Sequence, residues 1–319
     1  MNKIFFLLLC ATATQAVRAQ DTASVISADK VQAIERALSS DEMGGRGLFT
    51  PGLDKAAAYI AEAFKVAGLL PWRPDSSYLQ SFLFEDKKKQ MKLMNVVGIL
   101  PGKSKSDEYV IFSGHYDHLG TTGDAVNGDS IYNGANDDAS GITAVIMLAN
   151  YFKALGNNER TLIFAAFTAE ESGGFGSQYF SRQYEPSKVV AMFNIEMIGT
   201  ESKWGRNSAF ITGYEKTDMG KILEKNLQGS GFTFYPDPYP QQQLFYRSDN
   251  ATLARLGVPA HTISTSKMDS EAYYHTVDDE IETLDMSNMA AIIKAIAVSA
   301  ESIIAGKDTP SRVDKAGLR

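Results

Sequence analysis

The sequence predicts an α/β fold: a mostly parallel central sheet with helices on both faces. Three observations carry that prediction. Stretches of strand length and stretches of helical periodicity alternate almost throughout, the pattern of a sheet wound with crossover helices. Several strand stretches, above all Thr161-Leu162-Ile163-Phe164-Ala165-Ala166-Phe167, are nearly continuous in apolar residues, as strands buried on both faces are. The 319 residues, 44% of them hydrophobic, supply a core large enough for one big domain. No repeat, low-complexity tract or linker divides the chain, so a single domain is expected over residues 20–306.

The first 19 residues read as a signal peptide: Lys3, an apolar run over 4–9, small residues, then Val17-Arg18-Ala19 with cleavage after Ala19. A secreted protein is expected, or a periplasmic one in a cell with two membranes. Cys10 is the single cysteine, and Leu9 before it is too large for a lipobox, which disfavours a lipoprotein anchor. The mature chain then has neither disulfides nor thiolate ligands, so any metal site must use histidine and carboxylates. Past the N-terminus no stretch reads as a membrane span. A net charge of −7 argues against nucleic acid as a partner.

Along the chain, Ser27 caps a helix with Val31, Ile34 and Leu38 on one face. Gly44-Gly45-Arg46-Gly47 lacks the preceding strand and following Lys-Ser/Thr of a phosphate cradle and reads as a turn. Thr50-Pro51 opens a second helix, and Gly68 stops it. Residues 78–84 and 93–100 read as strands around a solvated, charged hairpin tip. The buried-type strand 109–112 runs into Ser113-Gly114-His115-Tyr116-Asp117-His118-Leu119-Gly120, then a long polar loop. Ser140 or Asp138 caps the next helix. The central strand 161–167 ends in Thr168-Ala169-Glu170-Glu171. A short helix near 177–182, strands 189–198 and 210–212, a helix 219–227 and an edge strand 232–235 follow. A helix 249–256, a strand 258–264 and a long helix 285–305 close the fold, with a disordered tail expected over 307–319.

The chemistry collects at strand ends. His115 and Asp117 follow one strand, Asp137 and Asp138 begin the helix after it, Glu170 and Glu171 end the central strand, Glu196 ends the next, and His275 precedes the last helix. Ligands sit outside the carboxyl ends of strands in such sheets. Imidazoles and carboxylates converging without thiolates suit zinc, or alternatively cobalt or manganese. Several carboxylates in one crevice suit two cations sharing a bridging carboxylate.

The segments Gly114–Gly120, Gly134–Gly141, Thr168–Gly173, Asn194-Ile195-Glu196-Met197-Ile198-Gly199 and Tyr274-His275-Thr276 together resemble the M28 zinc metallopeptidases, over about residues 40–305. The resemblance implies a co-catalytic di-zinc aminopeptidase acting on peptides with a free N-terminus. It implies His115 and Glu196 as ligands of one metal and Glu171 and His275 of the other, with Asp137 bridging. Glu170 would be the general base and Asp117 the partner that fixes the His115 tautomer. The Asp137–Asp138 bond would be cis. Glu196 departs from the family's usual aspartate. Beside His275, Tyr274 or Tyr273 is a candidate hydrogen-bond donor to the oxyanion. Arg247 and Asp249 fall in a segment resembling a substrate-cleft loop, and each is read either as a substrate contact or as part of a helix start. His118 is read as crowded out of ligation, and His261, inside an apolar strand, as structural. Two alternatives stay open: a glutaminyl cyclase-like acyltransferase with one zinc, and a carboxypeptidase, for which Arg206 and Arg247 are the loosely placed carboxylate binders.

Overall fold

The computed structural model describes residues 24–73, 77–86 and 89–318, so the expected signal peptide lies outside the described residues. Its strands are β1 (Leu70–Pro71), β2 (Leu79–Asp86), β3 (Lys89–Leu100), β4 (Lys105–His115), β5 (Gly120–Val126), β6 (Asp129–Tyr132), β7 (Arg160–Phe167), β8 (Val189–Ile195), β9 (Ser208–Ile211), β10 (Thr233–Pro236) and β11 (Ala260–Ser264). The helices are α1 (Ala28–Leu38), α2 (Pro51–Val66), α3 (Ser140–Leu155), α4 (Phe175–Ser181), α5 (Met219–Asn226), α6 (Asn250–Ala254) and α7 (Met286–Ile304). The predicted caps form: Ser27 accepts from Lys30 N and Thr50 from Leu53 N.

Nine strands make one sheet in the order β1-β3-β7-β4-β8-β11-β9-β10, with β2 pairing β3. The centre is parallel: β7 with β4, β4 with β8, β8 with β11. The flank β1, β2, β3 and the β9–β11 pair are antiparallel, so the predicted mostly parallel sheet is mixed, with a parallel middle. The α/β class itself holds. The continuous apolar run of β7 is explained by alternation across the sheet. Leu162, Phe164 and Ala166 pack with α1, α2, α3, α5 and α7 on one face, and Ile163, Ala165 and Phe167 with α4 and α6 on the other.

Two expectations are corrected. The polar loop after His118 is a β5–β6 hairpin. Its turn, Asn127-Gly128, takes positive φ at both residues (55° and 92°), the geometry a two-residue hairpin turn needs and the Asn-Gly pair supplies. The expected disordered tail is docked. Arg160, buried beneath it, donates to Ile303 O, Asp308 O and the Thr309 hydroxyl, and Val313 is itself buried and bonded to Gly257 O. Three of these bonds, at Asp308 O, the Thr309 hydroxyl and Val313 N, fall within the tail itself and, with one apolar anchor, offset the chain entropy of docking so polar a segment. Among the described residues α7 alone has the length and composition to cross a bilayer, and 67% of its most apolar window is buried inside the fold.

Candidate metal centre

Because β4, β7, β8 and β11 run the same way, their carboxyl ends share one edge, and the predicted residues arrive there together. β4 ends on His115, Glu196 directly follows β8, and Glu170-Glu171 follows β7 after Thr168 and Ala169. Sharp left-handed turns aim them. Ala169 (φ 58°) precedes Glu170, Met197 (φ 53°) follows Glu196, and His275 itself has φ 57°. Such residues cost roughly 1–2 kcal/mol each, so the surrounding packing must hold them.

Asp137 stands between two imidazoles. Its Oδ1 lies 3.2 Å from His115 Nε2 and its Oδ2 3.2 Å from His275 Nε2. Glu171 Oε2 is also 3.2 Å from His275 Nε2. His115, Asp137 and Glu196 present ligand atoms all within 4.8 Å of one another, and His118, Asp137 and Glu171 do the same. The two groups share only Asp137. The short contacts are off the line of a hydrogen bond: Nε2 of His115 and of His275, and Oε2 of Glu196, are shut off from water with no hydrogen-bonding partner. Buried polar atoms nearly always have one. Orphaned imidazole nitrogens and carboxylate oxygens in one cluster are what a divalent cation satisfies, and this nitrogen and oxygen donor set fits zinc.

A second layer of carboxylates holds the backbone that carries these groups. Asp138, fully buried, accepts from the N–H groups of His115 (3.1 Å), Gly141 (3.0 Å) and Met197 (3.1 Å), tying the ends of β4 and β8 to the first turn of α3. Only glycine fits at 141, where a Cβ would stand 2.2 Å from Ile195 O. The Asp137–Asp138 peptide is cis, as the resemblance implies. Asp117 does not act quite as expected. Its backbone carbonyl, not its carboxylate, meets His115 Nδ1 at 3.1 Å, while its carboxylate oxygens accept from Glu170 N and Glu171 N. Asp279 is buried and accepts from Asn136 N (2.8 Å) and Asp137 N (3.0 Å).

Packing this many acids together shifts their protonation. Burial pushes Glu196 up to about 7 and Asp249 up to about 6, against the pull of His115 in both cases. Burial likewise raises Asp117 to about 6. Glu170 is raised well above the usual carboxylate range, first by burial and then by the charges of Glu196, Asp249 and Asp117, with His115 opposing. Burial works against the Asp137 carboxylate too, yet His115 and His275 beside it hold it well below that range. His275 is raised to about 10 by Asp137 and Glu171.

The structure thus brings together Glu170, His115, Asp137, Glu171, Glu196 and His275. Tyr274 lines the same cleft and stacks on His275, 3.9 Å between ring centres, whereas Tyr273 faces solvent. Arg247 lines the cleft and is exposed. Asp249 is not on the cleft wall: it is 2% exposed, behind the acids, and its side chain makes no capping bond to α6. His261 is structural as expected, bonded to Thr212 O and the Thr217 hydroxyl and held down to about 4 by burial. His118 is the residue undervalued in the sequence. Its Nδ1 is 2.9 Å from Glu171 Oε1 and 3.9 Å from Asp137 Oδ2, so it belongs to the cluster. The signal was there in a second histidine three residues after His115; what hid it was a long-range contact, the His118 N–H held by the Arg46 carbonyl at 3.2 Å.

A family model described as peptidase family M28 matches residues 95–300. A probable leucine aminopeptidase of Trichophyton verrucosum (strain HKI 0517) is 28% identical over 225 residues, 67% of this chain and 58% of that relative. A probable zinc metalloprotease of Pyricularia oryzae is 35% identical over 114 residues, 35% of this chain and 22% of that relative. The chain therefore spans little more than half the length of the first and under a quarter of the second. Among solved structures, an aminopeptidase from Aneurinibacillus sp. strain AM-1 superposes with a TM-score of 0.66 at 15% identity, covering 93% of this chain and 97% of that one. A glutaminyl cyclase of Porphyromonas gingivalis gives 0.68 at 15% identity, covering 88% and 99%. At these identities the two likenesses speak for the fold, while the matched family model spans most of the chain, from the strand before the site to the last helix: the chain belongs to peptidase family M28.

Proposed function

We propose that this chain is a zinc-dependent exopeptidase that removes N-terminal residues from peptides with a free N-terminus. The observation that carries the reading is Asp137, whose two oxygens face two different imidazoles in one cleft with Glu170. One cation would be held by His115, Asp137 and Glu196, the other by Asp137, Glu171 and His275. Bound there, the cations supply Lewis acidity toward the scissile carbonyl and lower the pKa of water. Glu170 takes a proton from the attacking water and later gives it to the leaving amine. Tyr274 donates a hydrogen bond to the developing oxyanion. Carboxylates at the closed end hold the substrate's ammonium group, and Arg247 meets the peptide at the cleft mouth. We extend the proposal to location, secreted or periplasmic, on the pattern of residues 1–19; N-terminal sequencing of protein recovered outside the cytoplasm should begin near Gln20.

The test is a defined peptide mixture incubated with zinc-loaded protein, with and without chelator, read by mass spectrometry. Chelator-sensitive loss of residues from free but not acetylated N-termini is the expected result. Ammonia loss from peptides beginning with glutamine would instead indicate the cyclase, and C-terminal shortening a carboxypeptidase. His115→Ala should lower the bound zinc by about one equivalent; unchanged stoichiometry by elemental analysis would remove it from the ligand set. Glu196→Asp should keep activity within about tenfold if the site has merely stretched to accept glutamate, since the carboxylate is retained. A larger loss of kcat/KM would show that the longer side chain is built into this site.

A further inference from the structure

Gly44-Gly45-Arg46-Gly47 reads in the sequence as a turn, but the Arg46 side chain is wholly buried. Its guanidinium donates through Nε to Tyr116 O (2.9 Å), through Nη1 to Leu38 O (2.9 Å) and Asn133 O (2.6 Å), and through Nη2 to Gly134 O (2.8 Å) and Asp137 O (3.4 Å). The five donors of an arginine thus meet five main-chain carbonyls. The Arg46 carbonyl in turn accepts from His118 N at 3.2 Å. Among the described residues Arg46 makes no ion pair within 4 Å, although Glu35 and Asp279 are close enough to act on its charge. A guanidinium kept only for charge balance would face a carboxylate; this one is used as a bracket.

The bracket has a direction. Tyr116 and His118 lie in the segment that carries His115, and Asn133, Gly134 and Asp137 lie in the segment that carries the shared carboxylate. The flanking glycines make the approach feasible. A Cβ at Gly45 would stand 2.2 Å from Gly120 O, and one at Gly47 would stand 2.8 Å from Gly120 Cα. Arg46 itself takes φ 49°, a left-handed conformation unfavourable for arginine, and the surrounding bonds hold it there.

We propose that Arg46 is the positioning residue of the cation centre: it sets the spacing between segments 115–118 and 133–137, so that His115, His118 and Asp137 stand ready before a cation arrives. This rests on reading the cluster as a cation site. Outer partners of this kind change metal affinity by about 10–100-fold when removed.

The test compares wild type with Arg46→Met, Arg46→Lys and Arg160→Met. Arg160 is the control: equally buried, it makes four hydrogen bonds, to Glu108, Ile303 O, Asp308 O and Thr309, far from the cluster. Zinc dissociation constants from competition with a chromogenic chelator, and the visible spectrum of the cobalt-loaded protein, are read beside the melting temperature. Arg46→Met should weaken zinc about 10–100-fold and alter the cobalt spectrum, with Arg46→Lys in between because lysine keeps the charge but not the fork. Arg160→Met should lower the melting temperature and leave both metal readouts alone. Should Arg46→Met fail to fold, Glu35→Gln/Arg46→Met removes the nearby buried acid as well, and Arg46→Lys gives the same reading. Wild-type zinc affinity in the Arg46 variants, or an equal loss in Arg160→Met, overturns the proposal. Failure of the cation reading shows up separately, as wild-type protein that binds no zinc.

Discussion

Glu170→Gln is expected to lower kcat by about 10²–10⁴-fold while zinc stoichiometry stays at the wild-type value. The substitution is isosteric. It preserves the backbone bond from Glu170 N to the Asp117 carboxylate, which fixes the turn, and it leaves the five proposed ligands, His115, Asp137, Glu171, Glu196 and His275, untouched. What disappears is the group able to accept a proton, so the loss should fall on kcat with KM nearly unchanged, the sign of an interaction made in the transition state. Single-turnover rates beside elemental analysis read both quantities. Near-native turnover would move the base elsewhere in the cleft, and lost zinc would show that Glu170 is a ligand.

Removing the two cations should lower the melting temperature by roughly 20 °C, and by more at pH 8 than at pH 5. Zinc at a thousandfold its dissociation constant contributes about 4 kcal/mol per site, and each kcal/mol is worth roughly 2–4 °C in a chain of this size class. The pH dependence follows from the metal-free protein. Burial raises Glu196 to about 7 and Asp117 and Asp249 to about 6, and lifts Glu170 well above the ordinary range. Between about pH 4 and 7 the folded state keeps protons that the unfolded chain releases. Stability therefore falls as pH rises through that window, by about 1.4 kcal/mol per unit for each such group. His275, raised to about 10 by Asp137 and Glu171, acts with the same sign from about pH 6.5 upward: its stabilising charge is present below that pH and is lost through 10. Asp137 and Glu171, both lowered, act only below the ordinary carboxylate range and do not oppose the trend. Calorimetry of dialysed and zinc-loaded protein from pH 5 to 8 should show the gap widening with pH. A gap that stays constant would mean that the acids are not crowded in the metal-free state.

How much of this was legible beforehand depends on the range of the interactions involved. The strands β4, β7 and β8 were readable from local composition, because burial on both faces demands an apolar residue at nearly every position. Of the candidate ligands, His115, Glu171 and Glu196 were readable because each lies at or just past the end of such a strand, where chain direction alone decides on which edge it emerges, whereas Asp137 and His275 sit in loops that lead into helices. The β5–β6 hairpin carried a local signal in Asn127-Gly128, outweighed by the polar residues around it. The docked tail carried no such signal, since its anchor, Arg160, sits some 150 residues upstream of Thr309.

What only the tertiary structure decided lies in the second layer. Arg46, Asp138 and Asp279 act on backbone groups up to 143 residues away in sequence, and all but the local Asp138–Gly141 bond exist only once the fold has brought separate segments together. A charged residue between glycines looks the same in a sequence whether it is solvated or buried. Asp117 shows the same limit at short range: its position beside His115 was plain, but whether its carboxylate or its carbonyl meets the imidazole is settled by Glu170 and Glu171, whose N–H groups claim the carboxylate. The sequence by itself determined the α/β architecture and which donor atoms reach one edge of it, because both follow from periodicity and chain direction. Their spacing, their protonation and the place of His118 among them were left to the fold, because these depend on burial and on long-range hydrogen bonds that no local pattern encodes.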